Sequence, residues 1–297
     1  MVIFILLPNC SGWRGFRVAI SLETVKKRSI RNHYDISTLF YRMLWGPHIH
    51  HGYWEADESP QVAQLKLTEK MADLAQIHRG DRLIDIGCGM GGSTIHLART
   101  RGVIGQGVTI SPVQRFWASN ASRSLPRSQR PTFVCEDAES LVVPEASMDV
   151  VWSIECTEHL FDKAQFFRKA ASWLRPGGRV AICAWLCGDR EEDPQTQRLV
   201  RQVCDGMLCP SLGTQQDYRG WLEAAGLKMV AEQRWTKQVL KTWELCLQRV
   251  ERSKVRWLAK CLGREHVQFL DDFQTILEAY RTGAMEYGCL VAAKPVQ

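Results

Sequence analysis

The sequence predicts an α/β fold: a doubly wound, largely parallel sheet of seven strands with an N-terminal cap and a lid insertion. Three observations carry that prediction. The first is the stretch Leu83-Ile84-Asp85-Ile86-Gly87-Cys88-Gly89-Met90-Gly91-Gly92-Ser93. Its apolar run, glycine loop and following apolar-periodic segment through Ile95, Leu97 and Ala98 read as strand, tight turn and helix. The second is the alternation of strand-like and helix-like segments beyond it, at spacings that demand a parallel sheet. The third is a terminal pair of strand-like runs, residues 227–235 and 285–293, which completes the count.

Taken in order, residues 1–24 read as a leader, because the apolar run from Val2 to Leu7 is six residues long and ends at Pro8. That is too short for a secretory signal or a membrane span. Residues 25–58 are rich in aromatic and histidine side chains, with His33-Tyr34-Asp35, Phe40, Tyr41, Trp45 and His48-Ile49-His50-His51-Gly52-Tyr53-Trp54. They lack strand alternation and read as a cap over a cleft. The three neighbouring histidines have no cysteine or second carboxylate cluster at ligand spacing, so no metal site is expected. Ser59-Pro60 starts a helix carrying Val62, Leu65, Leu67, Met71 and Leu74.

Strand-like runs follow at 103–110, 133–135, 148–154 and 179–186, with Ser111-Pro112 capping a helix. A helix over about 163–174 is expected to stop at the turn Arg175-Pro176-Gly177-Gly178. Residues 189–217 are polar with one helical piece and read as a lid. Residues 218–225 give a late helix. A basic helix is expected over 240–264, with Trp243, Leu247, Val250, Trp257, Leu258 and Cys261 on its apolar side.

At 297 residues, 45% hydrophobic and 24% charged, the chain has the composition of one globular α/β domain with additions. A net charge of +6 permits an acidic partner without requiring one. The basic 240–264 helix admits peripheral contact with a membrane surface. No nucleic-acid motif accompanies the charge, so nucleic acid is not an expected partner. The 11 cysteines are scattered without paired or CxxC spacing, as suits free thiols in a reducing cytoplasm.

The ligand of the glycine loop follows from its neighbour. Gly87, Gly89 and Gly92 fit G-x-G-x-x-G, a weak signal alone. Asp85, two residues earlier, would repel a dinucleotide pyrophosphate but suits the amino group and sulfonium of S-adenosylmethionine (SAM). A nicotinamide enzyme also wants an acidic residue about 20 positions further on, and Val108-Thr109-Ile110-Ser111 offers none. Asp85 is therefore expected near the methionine amino group, with Gly87 and Gly89 backing that chain.

From about residue 30 onward the chain resembles the γ-tocopherol C-methyltransferase group of class I SAM-dependent methyltransferases. The particular pieces are Trp45-Gly46-Pro47-His48-Ile49-His50-His51-Gly52-Tyr53, Thr109-Ile110-Ser111-Pro112-Val113-Gln114 and Trp152-Ser153-Ile154-Glu155-Cys156-Thr157-Glu158-His159. The cyclopropane-fatty-acid synthase group is also similar, through His33-Tyr34-Asp35, Thr109-Ile110-Ser111 and Glu158-His159. Where the tocopherol enzymes usually carry glycine, this chain has Thr157, expected to add bulk at the pocket edge. The resemblance implies a seven-stranded class I sheet, ribose contacts from Thr109, Ile110 and Gln114, adenine contacts from Asp137 and Ala138, and Tyr34 closing over the methionine end.

The expected activity is methyl transfer to carbon, nitrogen or oxygen of a small hydrophobic or aromatic acceptor; lipid modification of the cyclopropane-synthase kind is the alternative. Such a displacement needs donor and acceptor aligned in a dry site, and a base where the acceptor must lose a proton. Glu155, Glu158 and His159 stand where the fourth strand ends, at the carboxyl edge where such sheets bind ligands. His159 is the first candidate for base, since imidazole exchanges protons near neutrality. The acceptor pocket is expected between the 34–54 arm, the 155–160 loop and the lid.

Overall fold

The computed structural model describes residues 20–21, 25–44, 46, 48–189, 193–252, 256–257, 260 and 264–296. Most of the expected leader, with Trp45, Pro47, Leu258 and Cys261, lies outside these residues. In chain order the elements are β1 (Ile20–Ser21), α1 (Lys27–Leu44), α2 (Pro60–Leu74), β2 (Arg82–Ile86), α3 (Gly92–Thr100), β3 (Ile104–Thr109), α4 (Pro112–Ala121), β4 (Thr132–Cys135), β5 (Met148–Ile154), α5 (Lys163–Trp173), β6 (Leu174–Cys187), α6 (Pro194–Met207), β7 (Ser211–Leu212), α7 (Gln215–Ala224), β8 (Lys228–Arg234), α8 (Thr236–Val239), α9 (Lys241–Arg252), α10 (Arg264–Thr282) and β9 (Met285–Ala293).

Seven strands form one sheet in the order β4-β3-β2-β5-β6-β9-β8. β2, β3, β4, β5 and β6 pair in parallel, and β9 lies antiparallel between β6 and β8. This is the seven-stranded sheet that the resemblance implies. Helices cover both faces, so the central strands are mostly apolar, and every residue of β5 is buried. One core joins α2, α3, α6, α9 and α10 to the sheet; the other joins α5 and α7 to its opposite face. The parallel order brings the carboxyl ends of β2, β3, β4 and β5 to one edge, where the chemistry collects.

Four differences from the sequence expectation have physical causes. Ile20–Ser21 pairs antiparallel with Ser211–Leu212, so a strand lies within the stretch expected to be a leader. Residues 27–44 form the helix α1, whose Ile30, Tyr34 and Thr38 recur every fourth residue; interspersed polar residues hide that period. The Arg175–Gly178 turn is a bulge inside β6. Met148 pairs with Leu174 and Val150 with Arg179, so the extra residues loop out. Gly177 takes φ +79°, and its N–H donates to Lys294 O at 2.9 Å.

The expected 240–264 helix is described as α9 up to Arg252, and there Trp243, Cys246 and Val250 are buried. Trp257 is 66% exposed and leaves the apolar stripe. The core position it was given is taken instead by α10, through Leu270, Phe273, Ile276, Leu277 and Tyr280.

Candidate active site

The glycine loop is shaped by backbone constraints. Gly87 N and Cys88 N both donate to Val108 O at 2.9 Å, which turns the chain off β2 toward β3. Gly87 has φ +76°, and a Cβ there would sit 2.3 Å from Cys156 Cβ and Sγ. Gly89 has φ +53°, and its Cβ would meet only Ile49 Cδ1 at 3.9 Å, so its backbone faces open space. Gly91, at φ +80°, starts α3.

Over this edge lies a cavity of about 780 Å³. Gly87, Gly89, Thr109, Ile110, Gln114, Asp137 and Ala138 line it, with Tyr34 of α1. Eight of the nine residues expected to hold the cofactor therefore share one cavity. Thr109 Oγ1 donates to Gln114 Oε1 at 2.8 Å, which fixes the pair against the end of β3. Ser111 Oγ caps α4 by accepting from Gln114 N at 3.1 Å, and donates to Asp35 Oδ1 at 2.5 Å. Lys27 closes the outer rim: its Nζ reaches Asp137 Oδ2 at 2.5 Å and Glu139 Oε2 at 2.8 Å. The exposed glycine backbone, the polar pair on β3, the rim carboxylates and the apolar walls from Ile30, Ile110 and Ala138 suit an adenosyl group carrying a charged amino-acid tail.

Asp85 is the ninth, and the expectation for it is corrected. It is 2% exposed, lies behind the loop outside the cavity lining, and accepts from Thr94 Oγ1 of α3 at 2.5 Å. Strand alternation turns it toward α3, where it ties strand to helix. Burial pushes its carboxyl up to about 7, against the Thr94 hydrogen bond.

A second cavity, of about 540 Å³, adjoins the first. Tyr34, Ile49, Glu155 and His159 line both. Its remaining lining is His51, Glu158, Trp185, Met207, Trp243 and Phe273, drawn from the cap, β6, α6, α9 and α10. The sequence places the pocket between cap, 155–160 loop and lid; α9 and α10 are additional walls.

The three expected acid–base residues have distinct states. Glu155 stands in the left-handed region at φ +52°. Its Oε1 accepts from His51 N at 2.8 Å and Tyr287 Oη at 2.7 Å, and its Oε2 from Trp185 Nε1 at 3.1 Å. Burial would raise its carboxyl, but the ring and backbone N–H of His51, with His50 nearby, outweigh that and hold it at about 2. A carboxylate so engaged is a poor base. Glu158 is 1% exposed, and its Oε1 accepts from Trp185 N at 2.5 Å. Burial lifts it to about 8, so it carries a proton at neutral pH.

His159 Nε2 and Tyr34 Oη are 2.7 Å apart, and His159 Nδ1 is 3.2 Å from Leu208 O. Only the Nδ1–H tautomer satisfies both contacts, with Tyr34 donating to Nε2. Burial, aided by the charge of Lys163, pushes the imidazole down to about 4 despite the Leu208 carbonyl. In this arrangement the His159 lone pair is engaged by Tyr34, and burial lowers its proton affinity. The expectation for Thr157 is corrected. It is fully buried, bonds Tyr218 Oη at 2.8 Å and lines neither cavity.

Sequence reasoning missed Lys27, Ile30 and Glu139 of the first cavity and His51, Trp185, Trp243 and Phe273 of the second. His51 had a signal, in the histidine cluster. Trp243 and Phe273 come from elements 192 and 222 residues beyond His51, and no local pattern marks them as pocket walls. Among the described residues no His, Cys, Asp or Glu cluster could hold a metal, and no helix is long and apolar enough to cross a membrane.

Comparisons with known proteins bear on the family and the fold. Residues 22–283 match the family described as mycolic acid cyclopropane synthetase. The chain is 32% identical over 268 residues to 27-O-demethylrifamycin SV methyltransferase from Amycolatopsis mediterranei, covering 88% of this chain and 95% of that protein. It is 26% identical over 300 residues to the chloroplastic tocopherol O-methyltransferase of Arabidopsis thaliana, covering 94% and 85%. Among solved structures, the cyclopropane synthase MmaA2 from Mycobacterium tuberculosis superposes with a TM-score of 0.80 at 17% identity, covering 92% of this chain and all of that one.

Proposed function

Because the chain belongs to the mycolic acid cyclopropane synthetase family, and is a SAM-dependent methyltransferase, we propose that it methylates a flat, apolar acceptor bearing a hydroxyl group. The observation that carries this reading is the second cavity. Tyr34, Trp185, Trp243 and Phe273 give it aromatic walls. Its two carboxyl groups are both engaged: Glu158 is held neutral, and Glu155 accepts from His51 N, Tyr287 Oη and Trp185 Nε1. A neutral aromatic body fits such a pocket better than an ion does. The relatives named for tocopherol and demethylrifamycin methylation support an acceptor of this kind.

The cofactor supplies an electrophilic methyl group on a sulfonium. In this reading Gly87 and Gly89 present backbone to its methionine chain, Thr109, Ile110 and Gln114 meet its ribose, and Asp137 and Ala138 meet its adenine. Tyr34, held by His159, forms the window between the cavities and aligns the two reactants. Glu158 donates a hydrogen bond toward the acceptor. Alignment in a closed site supplies on the order of 7–11 kcal/mol of such a barrier. Incubation with SAM and a panel of phenols, hydroquinones and amines, followed by mass spectrometry, tests the proposal. Products one methyl heavier from the phenols or hydroquinones support it, and methylation confined to amines overturns it.

A lipid acceptor is the second reading, favoured by the exposed Trp257 beside Arg256, whose exposed guanidinium also pairs with Asp271 at 2.8 Å. Pelleting with anionic liposomes decides it, since an enzyme for dissolved small molecules stays in the supernatant. We propose a cytoplasmic location because the 11 cysteines are scattered in sequence without paired or CxxC spacing.

A further inference from the structure

His51 lines the acceptor cavity, and neither nitrogen of its buried ring has a hydrogen-bond partner among the described residues. The residue is 1% exposed. Its Nδ1 stands 2.9 Å from Glu155 Oε1, at ion-pair distance though off the line of a hydrogen bond. Aromatic rings enclose the imidazole, with centroids at 5.4 Å for Trp243, 5.8 Å for Trp185 and 5.0 Å for Tyr287. A bare buried polar atom costs on the order of 1–3 kcal/mol, and such atoms persist where a ligand satisfies them. The fold makes no use of Nε2. The residue's backbone N–H already donates to Glu155, and its carbonyl accepts from His50 Nδ1 at 2.8 Å.

We infer that His51 Nε2 receives the acceptor's hydroxyl, hydrogen-bonding it as it docks and taking its proton as the methyl is transferred. This rests on the methyl-transfer reading above and names the acceptor more narrowly: a phenol, whose oxygen is the nucleophile. The O–H bond breaks and its proton moves to Nε2. The electron pair left on oxygen forms the new O–C bond while the methyl–sulfur bond breaks, its pair remaining on sulfur. Glu155, on the other side of the ring, stabilises the imidazolium that results and acts as a positioning residue. That carboxylate's φ of +52° and its converging donors are the strain and support expected of a group held for this purpose. His159 cannot share the task, because Tyr34 occupies its Nε2. The titratable groups facing His51 are Glu155 and Tyr287 against the ring, Tyr280 at 5.8 Å, Glu158 and His159 across the cavity, and His50 beside it in the chain.

The test uses the full chain loaded with S-adenosylhomocysteine and two probes of one shape, 4-nitrophenol and nitrobenzene, with binding measured by calorimetry. Wild type should prefer the phenol. His51→Ala should weaken 4-nitrophenol about tenfold or more while leaving nitrobenzene unchanged. His51→Gln, which can still bond a hydroxyl but cannot take its proton, should keep the preference. With SAM in place, it should turn over a phenolic acceptor at least about 10²-fold more slowly. Equal weakening of both probes in His51→Ala would mean that the ring only packs, and no weakening of either would mean that it does not touch the acceptor; both results overturn the inference. A wild type that shows the His51-dependent preference yet methylates no phenol supports the contact and overturns the hydroxyl-bearing acceptor proposed above.

Discussion

Glu158→Gln should make the protein more tolerant of alkali, by an amount that follows from the burial of Glu158. The carboxyl is raised from 4.5 to about 8, chiefly because burial disfavours its charged form, against the hydrogen bond from Trp185 N. The folded state therefore keeps a proton that the unfolded chain releases. This contribution is complete below pH 4.5 and is lost as pH rises through about 8. A tenfold difference in proton affinity between folded and unfolded chain is worth about 1.4 kcal/mol, so roughly 4–5 kcal/mol is the upper bound, and relaxation around the site should leave about 2–3 kcal/mol. Glutamine has the shape of the protonated acid, can accept from Trp185 N and never ionises. Urea denaturation of both proteins at about pH 5, 6, 7 and 8 gives the difference in stability, in which contributions common to both cancel. Those include Asp85, raised to about 7 with the same sign, and Glu155 and His159, lowered to about 2 and about 4 with the opposite sign. The variant should gain on wild type by up to about 1 kcal/mol for each step of one in pH between about 5 and 8. A difference that stays flat across this range, or that shrinks with pH, would refute a neutral buried Glu158.

Three further outcomes follow from the cofactor cavity. Gly87→Ala puts a Cβ 2.3 Å from Cys156 and forces alanine to φ +76°; it should cost about 2–4 kcal/mol in thermal melts. Adding Cys156→Gly should recover the part due to the clash. Asp85→Asn should leave SAM affinity by calorimetry within about threefold of wild type, since asparagine can still accept from Thr94 and the residue lies outside the cavity. Lys27→Met removes the rim contacts to Asp137 and Glu139; it should weaken SAM binding at most about fivefold, with less effect at high salt.

The parts of this fold that were legible in the sequence are those with a local period or a local turn. The glycine loop, the runs at 103–110, 133–135 and 148–154, and the Ser111-Pro112 cap each announce themselves within a dozen residues. The cofactor cavity was legible for the same reason, because residues that follow successive parallel strands must meet at one edge. Asp85 marks the limit of that reasoning. Its position in sequence placed it at the strand end, but side-chain alternation and the short reach to Thr94 turned it behind the loop. The acceptor cavity was half legible, since its 155–160 loop belongs to the sheet edge while Trp243 and Phe273 arrive on helices whose docking only the assembled core decides. Neither the engagement of His159 by Tyr34 and Leu208 nor the bare Nε2 of His51 has a counterpart in spacing. Both depend on which distant groups come within about 3 Å of an imidazole.

The central claim is that donor and acceptor occupy two adjoining cavities joined at Tyr34, Ile49, Glu155 and His159. A crystal structure of the protein with S-adenosylhomocysteine and 4-nitrophenol tests it most directly. The account predicts the cofactor along Gly87, Thr109 and Asp137 with its sulfur at that window, and the phenol beyond it among Trp185, Trp243 and Phe273 with its oxygen on His51 Nε2. A sulfur turned away from the window, or a phenol bound anywhere outside the second cavity, would contradict it.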